Sequence, residues 1–196
     1  MADLTIPLFP LNTVLFPEGV LPLRIFEPRY LDMVSDCLRK GCGFGVCLIE
    51  SGSEIGNAAK TFDVGTLVRI SDWHQRPDGL LGITVIGEQR FRILSTEVLR
   101  NQLTRASVEL IANERSTELP SEYLTIADFL RQLIQQVPHL FAPPTLKYSD
   151  ASWVGSRLAE LLPIPLAQKQ YLLQLNEPIQ RLERMRQLME GMDIQY

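Results

Sequence analysis

Two histidines, three cysteines and one glycine-rich pentad are the residues from which reaction chemistry could be built in this chain. A Ser-His-Asp arrangement could use only His74 or His139 as its base, and no Gly-x-Ser-x-Gly elbow is present to present a serine. Cys37, Cys42 and Cys47 do not follow the Cys-x-x-Cys spacing of a zinc site, and both histidines lie far from them in sequence. Gly41-Cys42-Gly43-Phe44-Gly45 precedes an apolar run, whereas a dinucleotide loop follows a strand and opens a helix. It reads instead as a helix cap and turn. None of the four lysines, Lys40, Lys60, Lys147 and Lys169, follows a phosphate-cradling loop. The expectation is a protein with no catalytic residue, no metal and no cofactor.

Side chains suited to contact rather than catalysis are better represented. Tryptophan, tyrosine and arginine dominate binding hot spots. Phe26, Arg29 and Tyr30 fall together near the N-terminus, Trp73, Arg76, Arg90 and Arg92 surround a central turn, and Trp153 opens a late apolar segment. These eight are the candidate peptide-binding residues. Core packing accounts equally well for most of the phenylalanines, Phe9 and Phe16 among them. A peptide between Trp73 and Trp153, or one paired with a proline-marked edge strand, are the two binding modes considered.

The 196 residues are enough for one generous domain or two small ones. The formal net charge is −4, and it is spread evenly: residues 1–115 carry 12 basic against 14 acidic residues, residues 116–196 carry 7 against 9. Affinity for nucleic acid rests largely on neutralised phosphates, so neither half favours it. No apolar run approaches the length of a membrane span, and Met1-Ala2-Asp3-Leu4 does not open a secretory signal. The cytoplasm is the expected compartment, with the cysteines as packing residues.

The elements that must position these side chains follow from periodicity. Residues 4–9 and 20–26 are short, apolar and rich in proline (Pro7, Pro10, Pro22), which predicts strands at edges or bulges. Pro28 opens a helix with Tyr30, Leu31, Val34 and Leu38 on one face, stopping near Gly41. A strand follows over 44–49, then a loop around Gly52 and Gly56. From 64 to 111 apolar residues alternate around the turn Arg76-Pro77-Asp78-Gly79, predicting a meander or small barrel. After Ser116 the period becomes helical. Ser121 is placed to cap a helix carrying Tyr123, Ala127, Leu130, Ile134 and Val137. Further helices are predicted over 151–162, from Pro165 to 175, and from a cap at Asn176, the last with an Arg186–Glu190 pair. The predicted class is α+β: a β-rich subdomain, 1–115, followed by a helical-bundle subdomain, 116–196.

Four segments in order resemble the N-terminal, substrate-recognition domain of Lon proteases. Ile-Pro-Leu-Phe-Pro-Leu-Asn-Thr-Val-Leu-Phe-Pro (6–17), leading to Leu-Pro-Leu-Arg-Ile-Phe-Glu-Pro-Arg-Tyr (21–30), is similar to that domain's opening. Val-Gly-Thr-Leu-Val-Arg-Ile (64–70) and the stretch 79–93, with its Gly-x-x-Arg-Phe-x-Ile step, look like its central hairpin. Residues 158–175 and Arg181-Leu182 look like its final helices. The segment 21–30 most resembles the stand-alone bacterial proteins of the family. The resemblance implies a PUA-like pseudo-barrel followed by a helical bundle. It implies recognition of unfolded or damaged protein, without the ATPase and Ser-Lys protease modules of full Lon, and a Lon-type protease as a potential partner. Two other readings stay open: an RNA-binding PUA-like protein, and a small-molecule sensor using a pocket between the halves.

Overall fold

A computed structural model describes residues 4–137 and 146–194. Pro138, His139, Pro143 and Pro144 lie outside the described residues. The chain forms two compact units, Met1–Ala112 and Asn113–Tyr196.

The first unit holds seven strands and one helix: β1 (Leu4–Leu11), β2 (Val20–Ile25), α1 (Pro28–Lys40), β3 (Phe44–Ser51), β4 (Lys60–Thr61), β5 (Val64–Gln75), β6 (Leu81–Val98) and β7 (Thr104–Leu110). The strands run in the order β1-β7-β6-β5-β3-β4, and β1 also pairs with β3, so five of them close into a ring. β2 lies outside it, paired to β6. The β1–β3 pair is parallel and the others are antiparallel.

The prolines of β1 do not place it at an edge, as expected, but inside the ring. Leu4–Pro7 pair with β7 and Leu8–Leu11 pair with β3, so each half has one open side. Pro7 and Pro10 differ in parity and fall in different halves; a strand that changes partner between them loses no ladder donor. Pro22 does sit on an edge strand: among the described residues β2 pairs with β6 alone. The alternating series from 64 to 111 forms successive antiparallel strands, β5, β6 and β7, as expected, with 81–98 as one 18-residue strand, β6, whose pairing to β7 shifts register between Ile93 and Ser95. At the β5–β6 turn Gly79 N–H donates to the Arg76 carbonyl (2.9 Å) and Arg76 N–H to the Leu80 carbonyl (2.9 Å). Gly79 itself has φ 80°, so the loop is a turn closed by a left-handed residue.

Two apolar clusters fill this unit. β1 turns Ile6 and Leu8 into one with Cys47, Phe91, Ala106 and Val108, and Phe9 and Leu11 into the other. The second cluster is completed by α1 through Tyr30, Met33, Val34 and Cys37. The helix therefore buries a face turned from the expected one: Leu31 and Leu38 are exposed.

The second unit contains a 3₁₀ turn (Ser121–Tyr123), α2 (Leu124–Gln136), α3 (Ala151–Leu161), α4 (Leu166–Gln174) and α5 (Pro178–Gly191). Ser121 begins the 3₁₀ turn and makes no cap, and the residue preceding α5 is Glu177, not Asn176. Asp150 supplies the side-chain cap, to α3, by accepting from Ser152 N–H (2.9 Å) and Trp153 N–H (3.3 Å). Arg186 pairs with Glu183 (2.7 Å) instead of Glu190. Arg181 is one of the largest enclosed side chains, packed against Gly155 of α3. Its guanidinium is bound to the Glu114 carboxylate and to the carbonyls of Leu172 (3.1 Å) and Leu175 (2.7 Å). A buried charge is tolerated only when paired and hydrogen-bonded in this way.

Candidate functional site

An apolar concavity of the first unit lies beside β2. It is a cavity of about 260 Å³ lined by Phe9, Leu11, Pro22, Leu23, Arg24, Ile25, Phe26, Glu27, Tyr30 and Glu54. Sequence continuity explains most of it: seven of the ten come from residues 22–30, where edge strand passes directly into helix. Phe9, Leu11, Ile25 and Tyr30 are buried and form the floor. Phe26 is 46% exposed and stands at the wall.

The floor is rigid. The Phe9 and Tyr30 rings stack at 4.2 Å, and the Arg29 guanidinium lies 4.6 Å over the Tyr30 ring. Arg29 donates to the Gln102 carbonyl (2.8 Å) and to Glu27 (3.2 Å). Burial raises the Tyr30 phenol above its ordinary value, with Arg29 opposing. The phenol is therefore neutral at physiological pH, a hydrogen-bonding group at the edge of an apolar floor.

The rim is polar. Glu54 accepts from Asn12 N–H (2.6 Å), and Glu27 from Gly56 N–H (3.4 Å), which brings the 52–59 loop to the mouth. Arg24 faces Asp78 at 3.5 Å. Leu80 N–H (3.1 Å to Oδ1), and then Arg24 and Arg76, hold the Asp78 carboxyl below its ordinary range.

The eight candidate residues divide by location. Phe26 and Tyr30 line the cavity, and Arg29 braces it from behind. Trp73, 62% exposed, shares a face with it: the register sets Leu23 opposite Ile83 and Ile83 opposite Trp73. Trp73 thus stands two strands, about 10 Å, from Leu23. Arg76 lies on the same hairpin, within reach of Asp78 (3.5 Å). Arg90 and Arg92 are on the far half of β6. Arg90 is only 3% exposed, so it faces the interior, where no ligand reaches without unfolding; Arg92 is exposed opposite Glu109. Trp153 belongs to the second unit and is buried edge-on against Tyr148 (5.4 Å). Arg90 and Trp153 are thus buried, whereas Phe26, Trp73 and Arg92 are exposed. Sequence reasoning missed Leu11, Arg24, Glu27 and Glu54 in the lining. For Arg24 and Glu27 the signal was their place inside the 21–30 segment; for Glu54, 24 residues beyond α1's first turn, there was none.

The groups that could carry chemistry are dispersed. His74 is exposed on β5. Cys37 and Cys47 are buried, and burial pushes both thiols up to about 12; Cys42 is exposed. Among the described residues no group of three or more His, Cys, Asp or Glu is placed to hold a metal. No described helix is long and apolar enough to cross a membrane.

A closed β-ring with one helix against it, an edge strand flanking an apolar cavity, and a helical unit define an α+β fold. The comparisons make the class specific. The family described as the ATP-dependent protease La (LON) substrate-binding domain matches residues 5–191, and this chain belongs to it. The crystal structure of a Lon N-terminal domain protein from Xanthomonas campestris is similar with TM-score 0.77 and 38% identity, over 93% of this chain and 96% of that one. The N-terminal domain of the Mycobacterium avium complex Lon protease shares the fold, with TM-score 0.62 at 15% identity, over 92% of this chain and 95% of that one. Lon protease 2 of Herpetosiphon aurantiacus is 30% identical over 93% of this chain and 23% of its own length. For the Lon protease of Flavobacterium johnsoniae the figures are 27%, 88% and 22%. The chain therefore spans about a fifth of these curated relatives.

Proposed function

We propose that this chain is a non-catalytic module of the cytoplasm that binds extended segments of unfolded or damaged protein at the open edge of β2. One observation carries the reading: among the described residues β2 is hydrogen-bonded on one side only, and the apolar cavity runs beside it. A segment added to that edge would pair through its backbone, which tolerates varied sequence, while an alternate side chain entered the cavity. The family's description as a substrate-binding domain supports the kind of ligand. A Lon-type protease is the partner that the family relationship suggests.

Phe26 is the residue to test, because it is exposed and its loss leaves the core intact. Phe26→Ala should weaken binding of a permanently unfolded model protein about tenfold, as loss of an aromatic hot spot does. Its unfolding free energy should stay within about 0.5 kcal/mol of the parent. Fluorescence anisotropy read beside a urea melt checks both. Unchanged affinity with unchanged stability would remove the β2 cavity from the binding surface.

A further inference from the structure

The three charged residues of the cavity rim are not equivalent. Glu27 is neutralised by Arg29, its counter-ion at 3.1 Å, and Arg24 faces Asp78 at 3.5 Å. Glu54 has no cationic partner among the described residues. One of its oxygens accepts from Asn12 N–H, and that bond holds the carboxylate at the mouth. The cavity thus presents an apolar floor of Phe9, Ile25 and Tyr30 beneath a carboxylate that has no ion pair of its own among the described residues.

We infer that the site selects segments in which an apolar side chain is followed or preceded, two residues away, by lysine or arginine, with Glu54 as the residue that reads the cation. This rests on the reading that the cavity receives a peptide side chain. In an extended chain residues i and i+2 point to the same face, about 7 Å apart. An apolar group at i can therefore enter the cavity while a basic one at i+2 spans the rim. An acidic residue at that place would meet Glu54 with like charge, so the same geometry rejects it.

The test uses three labelled peptides on the full chain. One is Thr-Val-Phe-Thr-Lys-Val-Thr with blocked ends; the others carry methionine or glutamate in place of lysine. At low ionic strength the protein should bind the lysine peptide about fivefold more tightly than the methionine one, the upper end for a solvent-exposed ion pair. It should bind the glutamate peptide weakest, and the spread should shrink in high salt. Glu54→Gln keeps an oxygen for Asn12 N–H and should abolish the preference, while Glu54→Lys should reverse it in favour of glutamate. Equal binding of all three by the parent protein, or a preference that survives Glu54→Gln, would overturn the role of Glu54 and leave the cavity reading standing. Failure of the parent to bind any of the three would overturn both.

Discussion

The β5–β6 seam of the ring, around Gly65–Thr66 and Gly87–Phe91, and the cavity rim use their residues in opposite ways. At the seam Gly65, Thr66, Gly87 and Phe91 are buried. Gly65 lies where a β-carbon would come within 2.5 Å of Cys47 Sγ and 2.6 Å of the Val46 carbonyl oxygen. Thr66, fully buried, donates its hydroxyl to the Leu15 carbonyl at 2.6 Å. Gly87 admits the Phe16 carbonyl to within 2.3 Å of the place its β-carbon would occupy, and Phe91 fills the space between strands. At the rim the groups are half-exposed, and single hydrogen bonds or loose ion pairs hold them. The seam specifies the fold, and the rim is free to meet a ligand.

The sharpest way to break this contrast is to fill the seam. Gly65→Val places methyl groups against backbone and ring at once, with no flexible neighbour able to yield. The expected destabilisation is about 3 kcal/mol or more, enough that much of the protein fails to accumulate folded. Thermal and urea unfolding would measure it. A stable Gly65→Val protein would mean that the seam is looser than its contacts indicate.

A gentler change separates shape from hydrogen bonding at the same place. Thr66→Val keeps the volume but strands the Leu15 carbonyl without its donor in a buried site. The expected loss is about 1–3 kcal/mol, the desolvation penalty of one unsatisfied group. Peptide affinity of the folded fraction should not change, because Thr66 does not line the cavity. A loss of affinity without loss of stability would instead couple seam to rim.

The same contrast explains what could be read from sequence. Gly-Thr at 65–66 and the Gly-x-x-Arg-Phe step at 87–91 are distinctive because packing permits few alternatives there, so they disclosed the family and the α+β class. They also misled about the site: Arg90, attractive as an exposed contact residue, belongs to the enclosed set. Alternation could not reveal that β6 slips register against β5 between Gly87 and Gln89, just before Arg90 and Phe91, which are both buried. Nor could periodicity show that β1 switches partners between its two prolines, because closure is a long-range event. Of the seven lining residues contributed by 22–30, Phe26 and Tyr30 were legible as contact residues. Glu54 was not, because a loop hydrogen bond to Asn12 carries it there across 42 residues.

The smallest expected effect probes the rim through pH. Asp78 is exposed, and its carboxyl is held below the ordinary range first by Leu80 N–H, then by Arg24 and Arg76. A group with a depressed folded pKa stabilises the native state above its unfolded pKa, and the contribution disappears as pH falls through the folded value. The stabilisation should therefore be complete at neutral pH and fade below about 4, the usual aspartate range. Asp78→Asn removes the charge at every pH. Its melting temperature should lie slightly below the parent's at pH 7, and the gap should narrow as the pH falls below the ordinary aspartate range. Because the interaction is solvent-screened, the gap should also narrow in high salt. A gap that did not narrow with acidification would mean that Asp78 acts by shaping the Pro77–Gly79 turn and not by its charge. Arg24, which faces it across the mouth, would then owe its position to β2 alone.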